Sequence, residues 1–158
     1  MKKLILLSFA VLAMAACKSK SATNTKLDRK SELAIKGNWT ITSVTYPGSD
    51  YIKVMSFQLA DSQCFVGSKW NFISVSNKGD MSISKSDCPS LTSPIKWFVN
   101  DNGEFVLKVL NAGEKAKKVR DGYVLKVAAQ SQDSFQLVDK IMVGNKSTDV
   151  VYQFQKVN

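Results

Sequence analysis

The sequence predicts an all-β protein: an eight-stranded antiparallel up-and-down β-barrel with a short N-terminal helical turn and a long lid loop after the first strand. Three observations carry this. From Asn38 onward, apolar and polar residues alternate with the period of two that a half-buried strand requires, and do not recur at helical spacing. Turn-forming residues interrupt the alternation about every eight to twelve residues. All connections but one are short, as in sequential hairpins, and closing eight such strands on themselves removes the exposed edges of an open sheet.

The chain opens with Met1, Lys2 and Lys3, followed by a run from Leu4 to Ala16 whose only polar member is Ser8. The run is too short to span a bilayer and has the form of the apolar part of a secretory signal. Ala15 and Ala16 precede Cys17, and "LAMAACKSKS" resembles the bacterial lipoprotein signal, in which the cysteine thiol is diacylated and becomes the new N-terminus. Met14 stands where that pattern more often has leucine. The alternative is an ordinary signal cut after Ala13-Met14-Ala15. The lipoprotein reading makes residues 1–16 a removed signal peptide and Cys17 the lipidation site, palmitate or a similar chain included, and two or three chains on one residue anchor stably where one does not. Residues 17–30 are then the acylated cysteine and a flexible tether. After Cys17 this segment holds only Leu27 as an apolar residue larger than alanine, too little to offset the cost of ordering. A coil of about thirteen residues reaches roughly 20 Å. Lys18 directly after the cysteine resembles the outer-membrane default of Gram-negative sorting, which implies a lipid-anchored, periplasm-facing protein of the bacterial outer membrane.

Residues 31–158 suffice for one domain with one core. The whole chain has 22 Lys plus Arg against 13 Asp plus Glu and no histidine, for a net charge of +9. Loss of Lys2 and Lys3 with the signal leaves 20 against 13, or +7. Only Arg29 and Arg120 are arginines, whereas nucleic-acid and specific phosphate sites lean on planar, bidentate guanidinium. No nucleic-acid partner is expected. Attraction to acidic lipid or envelope polymer is compatible with the charge, as is a solvated surface with no partner. Cys64 and Cys88 are the two cysteines left after Cys17, and in an oxidising compartment they are expected to form a disulfide. Its loop would contribute roughly 3.5 kcal/mol on the chain-entropy account. Two thiols with no histidine cannot complete a typical zinc shell, so no metal and no cofactor are implied.

The strands are expected near 38–46, 69–75, 80–86, 94–100, 104–110, 119–129, 133–143 and 148–157. The connections "SNKGD", "NDNGE" and "GNKST" put Gly and Asn where tight hairpins need positive φ. Parity directs Trp39, Ile41, Trp70, Phe72, Met81 and Ile83 inward. It does the same for Ile95, Trp97, Val99, Phe105, Leu107 and Val109, for Tyr123, Leu125, Val127, Phe135 and Leu137, and for Val150, Tyr152 and Phe154. The long connection, 47–68, carries Ile52, Met55 and Leu59 at i, i+3 and i+7, a spacing that predicts a short amphipathic helix. Long loops in compact domains are often lids or binding loops.

The segment "SELAIKGNWTITSV" resembles the entry to a lipocalin: a helical turn ending at Gly37, then Gly37-Asn38-Trp39 leading into the first strand. In that family the Gly-x-Trp closes the narrow end of an eight-stranded barrel, so the resemblance implies Gly37 and Trp39 as the barrel floor and the 47–68 connection as the loop over the open end. With "CFVGSKWNFI" and "ITSVTYPG", the mature region is similar to lipocalin-like lipoproteins of bacterial envelopes. Two features depart from the pattern. Lipocalins commonly have Thr-Asp-Tyr late in the barrel and an arginine packed on the tryptophan; here the chain has Thr148-Asp149-Val150, and the final strand has Lys156.

An interior of eight strands is either filled by side chains or holds one small ligand. For the second case the expected ligand-binding residues are Met55, Phe57, Trp97, Phe105, Tyr123 and Phe135. No catalysis is expected. Without histidine, the usual general base and histidine-based triads are missing, and Asp87, Glu104, Asp121 and Asp139 stand at no informative spacing from a nucleophile. The basic run 114–122, "EKAKKVRDG", fits a solvated hairpin tip, or contact with lipopolysaccharide, phospholipid or an acidic protein. The function expected from the resemblance is an envelope-anchored lipoprotein that binds or sequesters a small hydrophobic ligand. The alternative is a non-transport interaction module, such as a scaffold, adhesin or inhibitor, with a packed barrel.

Overall fold

The computed structural model describes residues 33–49, 52–110 and 122–157. Cys17, the 1–16 signal, the 17–30 tether and most of the 114–122 run, Asp121 included, lie outside the described residues. A helical turn at 33–35 leads into β1 (Gly37–Thr45), and the long connection after it carries β2 (Met55–Ser56), β3 (Ala60–Asp61) and a 3-10 turn (Ser62–Phe65). Then follow β4 (Lys69–Ile73), β5 (Lys78–Ile83), β6 (Leu91–Val99), β7 (Phe105–Val109), β8 (Tyr123–Ala128), β9 (Ser134–Val143) and β10 (Lys146–Lys156).

Eight of these strands close into an antiparallel barrel of order β1-β10-β9-β8-β7-β6-β5-β4. From β4 to β10 every strand pairs with the next in sequence, and β1 bridges the two ends through Trp39↔Trp70 on one side and Ile41↔Phe154 on the other. Closure therefore pairs both edges of every barrel strand, the physical advantage expected of this topology. A bulge lies between Ile41 and Ser43, opposite Phe154 and Gln153 of β10, and β10 remains the partner of β1 on both sides of it. There the Ile41 amide donates to the Ser68 carbonyl at 3.2 Å, and the Ile41 carbonyl accepts from the Gly67 amide at 2.8 Å. The extra residue resets the side-chain alternation, so the next inward residue is Val44.

The inward faces follow the expected parity. Trp39, Trp70, Trp97, Phe72, Phe105, Phe135 and Phe154 are all buried, with Met81, Leu107, Leu125, Leu137 and Val150 between them. Each indole N–H has an acceptor: Trp39 donates to the Ile35 carbonyl at 2.7 Å, Trp70 to the Ser68 hydroxyl at 2.8 Å, and Trp97 to the Lys78 carbonyl at 3.0 Å. An indole can stay in an apolar core only on those terms.

Two expectations are corrected. The 47–68 connection holds no helix at the Ile52, Met55, Leu59 spacing; Met55 and Ser56 pair with Asp61 and Ala60 in a small hairpin. Met55 is 67% exposed, so the apolar triplet does not form one buried face. In "SNKGD" the left-handed residue is Asn77 at φ 52°, and Gly79 lies inside β5 opposite Phe72. Gly103 and Gly144 do take the positive φ expected at their hairpins, 76° and 61°.

The role of Gly79 is close approach. A Cβ built there would lie 1.9 Å from the Asn71 carbonyl oxygen, a backbone atom that cannot rotate away. Gly79→Ala is expected to separate β4 from β5 and to lower unfolding free energy by at least about 2 kcal/mol, as for an overpacked core. The urea midpoint measures it; a midpoint equal to wild type would refute the close-approach argument.

Candidate functional site

The two ends of the barrel differ. At one end Trp39 forms a floor. Its ring meets Phe135 edge to face at 4.7 Å, Phe135 stacks on Phe154 at 4.6 Å, and Gly37, with φ 121°, turns the chain into β1. The Lys156 ammonium lies 5.7 Å from the Trp39 ring centroid, because these two residues are cross-strand partners. A lysine thus occupies the cation position over the tryptophan, at an exposed-site value of about 0.5–1 kcal/mol.

The other end is covered by the strap formed by β2, β3 and the 3-10 turn. Phe57 and Gln58 form the tip of its hairpin, with φ 52° and 54°, and the Leu59 amide donates to the Ser56 carbonyl at 3.0 Å. Two successive left-handed residues that are not glycine each cost about 1–2 kcal/mol. Packing offsets that cost. The Phe57 ring enters the barrel mouth, stacking on Tyr152 at 5.3 Å and meeting Tyr123 at 5.1 Å and Phe65 at 5.3 Å edge to face. Beside it the Ser56 and Tyr152 hydroxyls are hydrogen-bonded at 2.6 Å in a buried setting. Further along, the Ser62 amide donates to the Val54 carbonyl at 2.7 Å, Tyr46 and Ser62 share a hydroxyl contact, and the Gln63 side-chain amide donates to the Val44 carbonyl at 3.1 Å.

The Cys64–Cys88 disulfide forms as expected, with Cα atoms 5.6 Å apart. It ties the strap's 3-10 turn to the connection between β5 and β6. The Asp61 carboxylate caps that turn by accepting from the Gln63 amide at 2.9 Å.

Of the six expected ligand-binding residues, only Phe57 and Tyr123 meet at the mouth. Trp97 and Phe105 stack on each other at 5.6 Å and contact Phe72, which is next to Gly37 in the register; Phe135 contacts Trp39 itself. Those three lie toward the floor. Met55 is on the outer side of the strap. From Trp39 through Phe135, Phe154 and Trp70 to Phe57, rings follow one another at 4.6–6.3 Å between centroids, so the barrel is packed along that path.

Sequence reasoning placed Tyr152 inward and weighed Asp139 only as a scattered carboxylate, without bringing either to the mouth. Tyr152 is inward and buried, and desolvation pushes its phenol well above the ordinary tyrosine range, against the lowering effect of the Ser56 hydrogen bond. Asp139, on the inward face of β9 where it runs past the β8 pairing, is half-buried, and burial pushes its carboxyl up. Parity gave the signal for both: Asp139 falls on the Phe135, Leu137 face. The other carboxylates are scattered. Asp87 is exposed, and Glu104 accepts from the Asn100 side-chain amide at 2.9 Å in the β6–β7 turn.

Two outcomes follow from the mouth. Ser56→Ala leaves the buried Tyr152 hydroxyl without that partner and is expected to cost about 1–3 kcal/mol, whereas Ser56→Ala with Tyr152→Phe should cost less than the sum of the single changes. Chemical denaturation of the four proteins reads the coupling, and strict additivity would contradict it. For Asp139, a folded-state pKa above the unfolded value means that the native state is not penalised below about pH 4 and loses stability as pH rises through the folded value. Asp139→Asn should therefore raise the urea midpoint at about pH 7 and leave it unchanged near pH 3. An equal rise at both pH values would show that charge is not the cause.

The closed eight-stranded barrel, its Gly-x-Trp entry and its covered mouth are compatible with a lipocalin-like fold, while in direct comparison the chain matches no family model, no curated protein and no solved structure.

Proposed function

We propose that this chain is an envelope lipoprotein, anchored through Cys17, whose barrel serves as a rigid interaction module and not as an internal carrier. The aromatic packing supports this reading most directly. Trp97, Phe105 and Phe135, which a carrier would use to line its cavity, are each no more than 1% exposed and are in contact with neighbouring rings. A ligand could enter only by displacing rings that already contribute dispersion and area burial to stability. Function then falls to the outer surface. One concavity of about 470 Å³ lies on the outer wall between β1, β8, β9 and β10, where Lys126 and Lys140 flank an apolar base of Ala128, Val138 and Val151. No catalytic role is proposed: the chain has no histidine, and Asp87, Glu104 and Asp139 belong to separate parts of the fold.

Binding of a small hydrophobic ligand at the mouth is a second reading, favoured by one observation. Phe57 enters the mouth on a turn of unfavourable φ, so its own ring stands where an apolar ligand would go. Such strain is common at lids and clamps.

Palmitate titration with tryptophan emission separates the two. A packed module should give no saturable change, because all three tryptophans are buried among side chains. Saturation at micromolar concentration, with a shift in affinity on Phe57→Ala, would establish the carrier reading and reject the module.

A further inference from the structure

Two rows of polar side chains cross the outer wall where β1, β4 and β5 lie side by side. Asn38 pairs with Asn71 and Asn71 with Asp80; two residues along the strands, Thr40 pairs with Lys69 and Lys69 with Ser82. All six have the parity opposite to the buried Trp39, Trp70 and Met81, so they face outward. Neighbours in a row are roughly 5 Å apart and the rows roughly 7 Å apart. With Val157, whose amide donates to the Asn38 carbonyl at 2.9 Å, they line a groove of about 380 Å³. Small-molecule sites fall in the same range, about 300–1,000 Å³.

The six side chains are chemically uncommitted. Thr40, Asn71 and Ser82 are half-buried, yet among the described residues none of the six has a hydrogen-bond or ion-pair partner on the protein. The concavity on the wall of β9 and β10 differs, since Gln136 in its lining donates to the Gln153 side chain at 2.9 Å. The pattern of donors and acceptors then selects a ligand class. Each amide and hydroxyl both donates and accepts, whereas Lys69 only donates and Asp80 only accepts. A carboxylate or phosphate would set acceptors against Asp80, and an ammonium would set donors against Lys69. With one charge of each sign in the groove, neither ion is favoured.

We propose that this groove binds a neutral saccharide, as one stretch of a glycan chain. A sugar hydroxyl donates and accepts at a single atom, so a row of hydroxyls meets Lys69 and Asp80 alike and leaves neither charge opposed. A peptide would need apolar pockets for its side chains, and apolar side-chain surface here is confined to Val157, because Trp39 and Trp70 turn their rings inward. Bonds to the ligand replace bonds to water, so affinity is weak, roughly millimolar. The inference rests on the reading of the barrel as a module that works through its outer surface, and it does not require the Cys17 anchor.

The test uses residues 17–158 with Cys17→Ser, isotope-labelled for amide NMR, and three neutral probes: cellohexaose, maltohexaose and chitohexaose. At least one should shift the Asn38 and Asn71 side-chain amide signals in a saturable way. Asn71→Ala with Asp80→Ala should weaken that binding by at least about tenfold, each lost hydrogen bond being worth about two- to tenfold. Asp101→Ala, an exposed carboxylate outside the groove, should leave it unaltered. No shift with any probe, shifts confined to signals other than Asn38 and Asn71, or indifference to the double change would each overturn the proposal. So would a stronger response to anionic oligogalacturonate or to a neutral Gly-Ser peptide, which are the competing ligand classes. Should the double variant fall below the wild-type urea midpoint, the position of the shifts in the unaltered groove decides alone. Saturable palmitate binding rejects the module reading, whereas silence toward both palmitate and the saccharides rejects the groove alone.

Discussion

Barrel closure is the constraint on which the rest of this structure depends. Eight short antiparallel strands can leave no edge unpaired only if β1 meets β4 and β10 at once, as Trp39 and Thr40 do through partners on both strands. Closure then directs one face of every strand into a single narrow interior that must be filled or left empty. This chain fills it with rings. Three tryptophans and Phe72, Phe105, Phe135 and Phe154 have the volume that aliphatic side chains from so few strands would lack. Each large rigid ring loses little rotamer freedom relative to the area it buries. The polar parts of those rings reach backbone carbonyls or the Ser68 hydroxyl, so aromatic bulk does not leave unsatisfied donors inside.

The strap continues that interior packing by a different route. A hairpin tip of Phe57 and Gln58 in left-handed geometry is unfavourable in isolation. It persists because the tip projects Phe57 onto Tyr152, Tyr123 and Phe65, and because the Ser56 hydroxyl meets the Tyr152 phenol at the same depth. The disulfide from Cys64 to Cys88 ties the strap to the wall and reduces the conformations lost when it seats. Local strain, a buried hydroxyl pair and a covalent tie therefore act on the same short segment.

The sequential strand order and the inward faces were legible in the sequence, because parity and turn spacing are local properties, and the cysteine pair followed from Cys64 and Cys88 being the two cysteines left after Cys17. Three things were not. The stagger of strands around a closed barrel is a property of the whole, so parity placed Trp97, Phe105 and Phe135 inside without revealing that they lie toward Trp39 and not toward Phe57. Ile52, Met55 and Leu59 match a helical period, yet the segment gains more by inserting Phe57 between them than by forming a helix with one weakly apolar face. Gly79 resembles a turn glycine by its neighbours Asn77 and Lys78, whereas its requirement is the proximity of the Asn71 carbonyl on a strand that has yet to pair. In each case a tertiary contact outweighed the local signal.

The chemistry of the packed interior also limits where specificity can arise. Among its polar members the Ser56 and Tyr152 hydroxyls are committed to each other and the Ser68 hydroxyl to the Trp70 indole and the Phe65 carbonyl, while burial holds the half-buried Asp139 carboxyl at the rim above its ordinary range. Discrimination between ligands comes from polar groups placed to be satisfied by one partner and left unpaired by another. The interior leaves little of that capacity, and the outer surface supplies most of the charge. Its positive charge is nearly all lysine, a flexible, strongly hydrated point charge in place of the planar fork of arginine. Lysine surfaces suit broad anionic partners, where many weak contacts add, better than a single shaped anion. A chemically committed core and lysine-dominated edges therefore leave the outer surface, and not the interior, as the part of the fold with uncommitted polar groups.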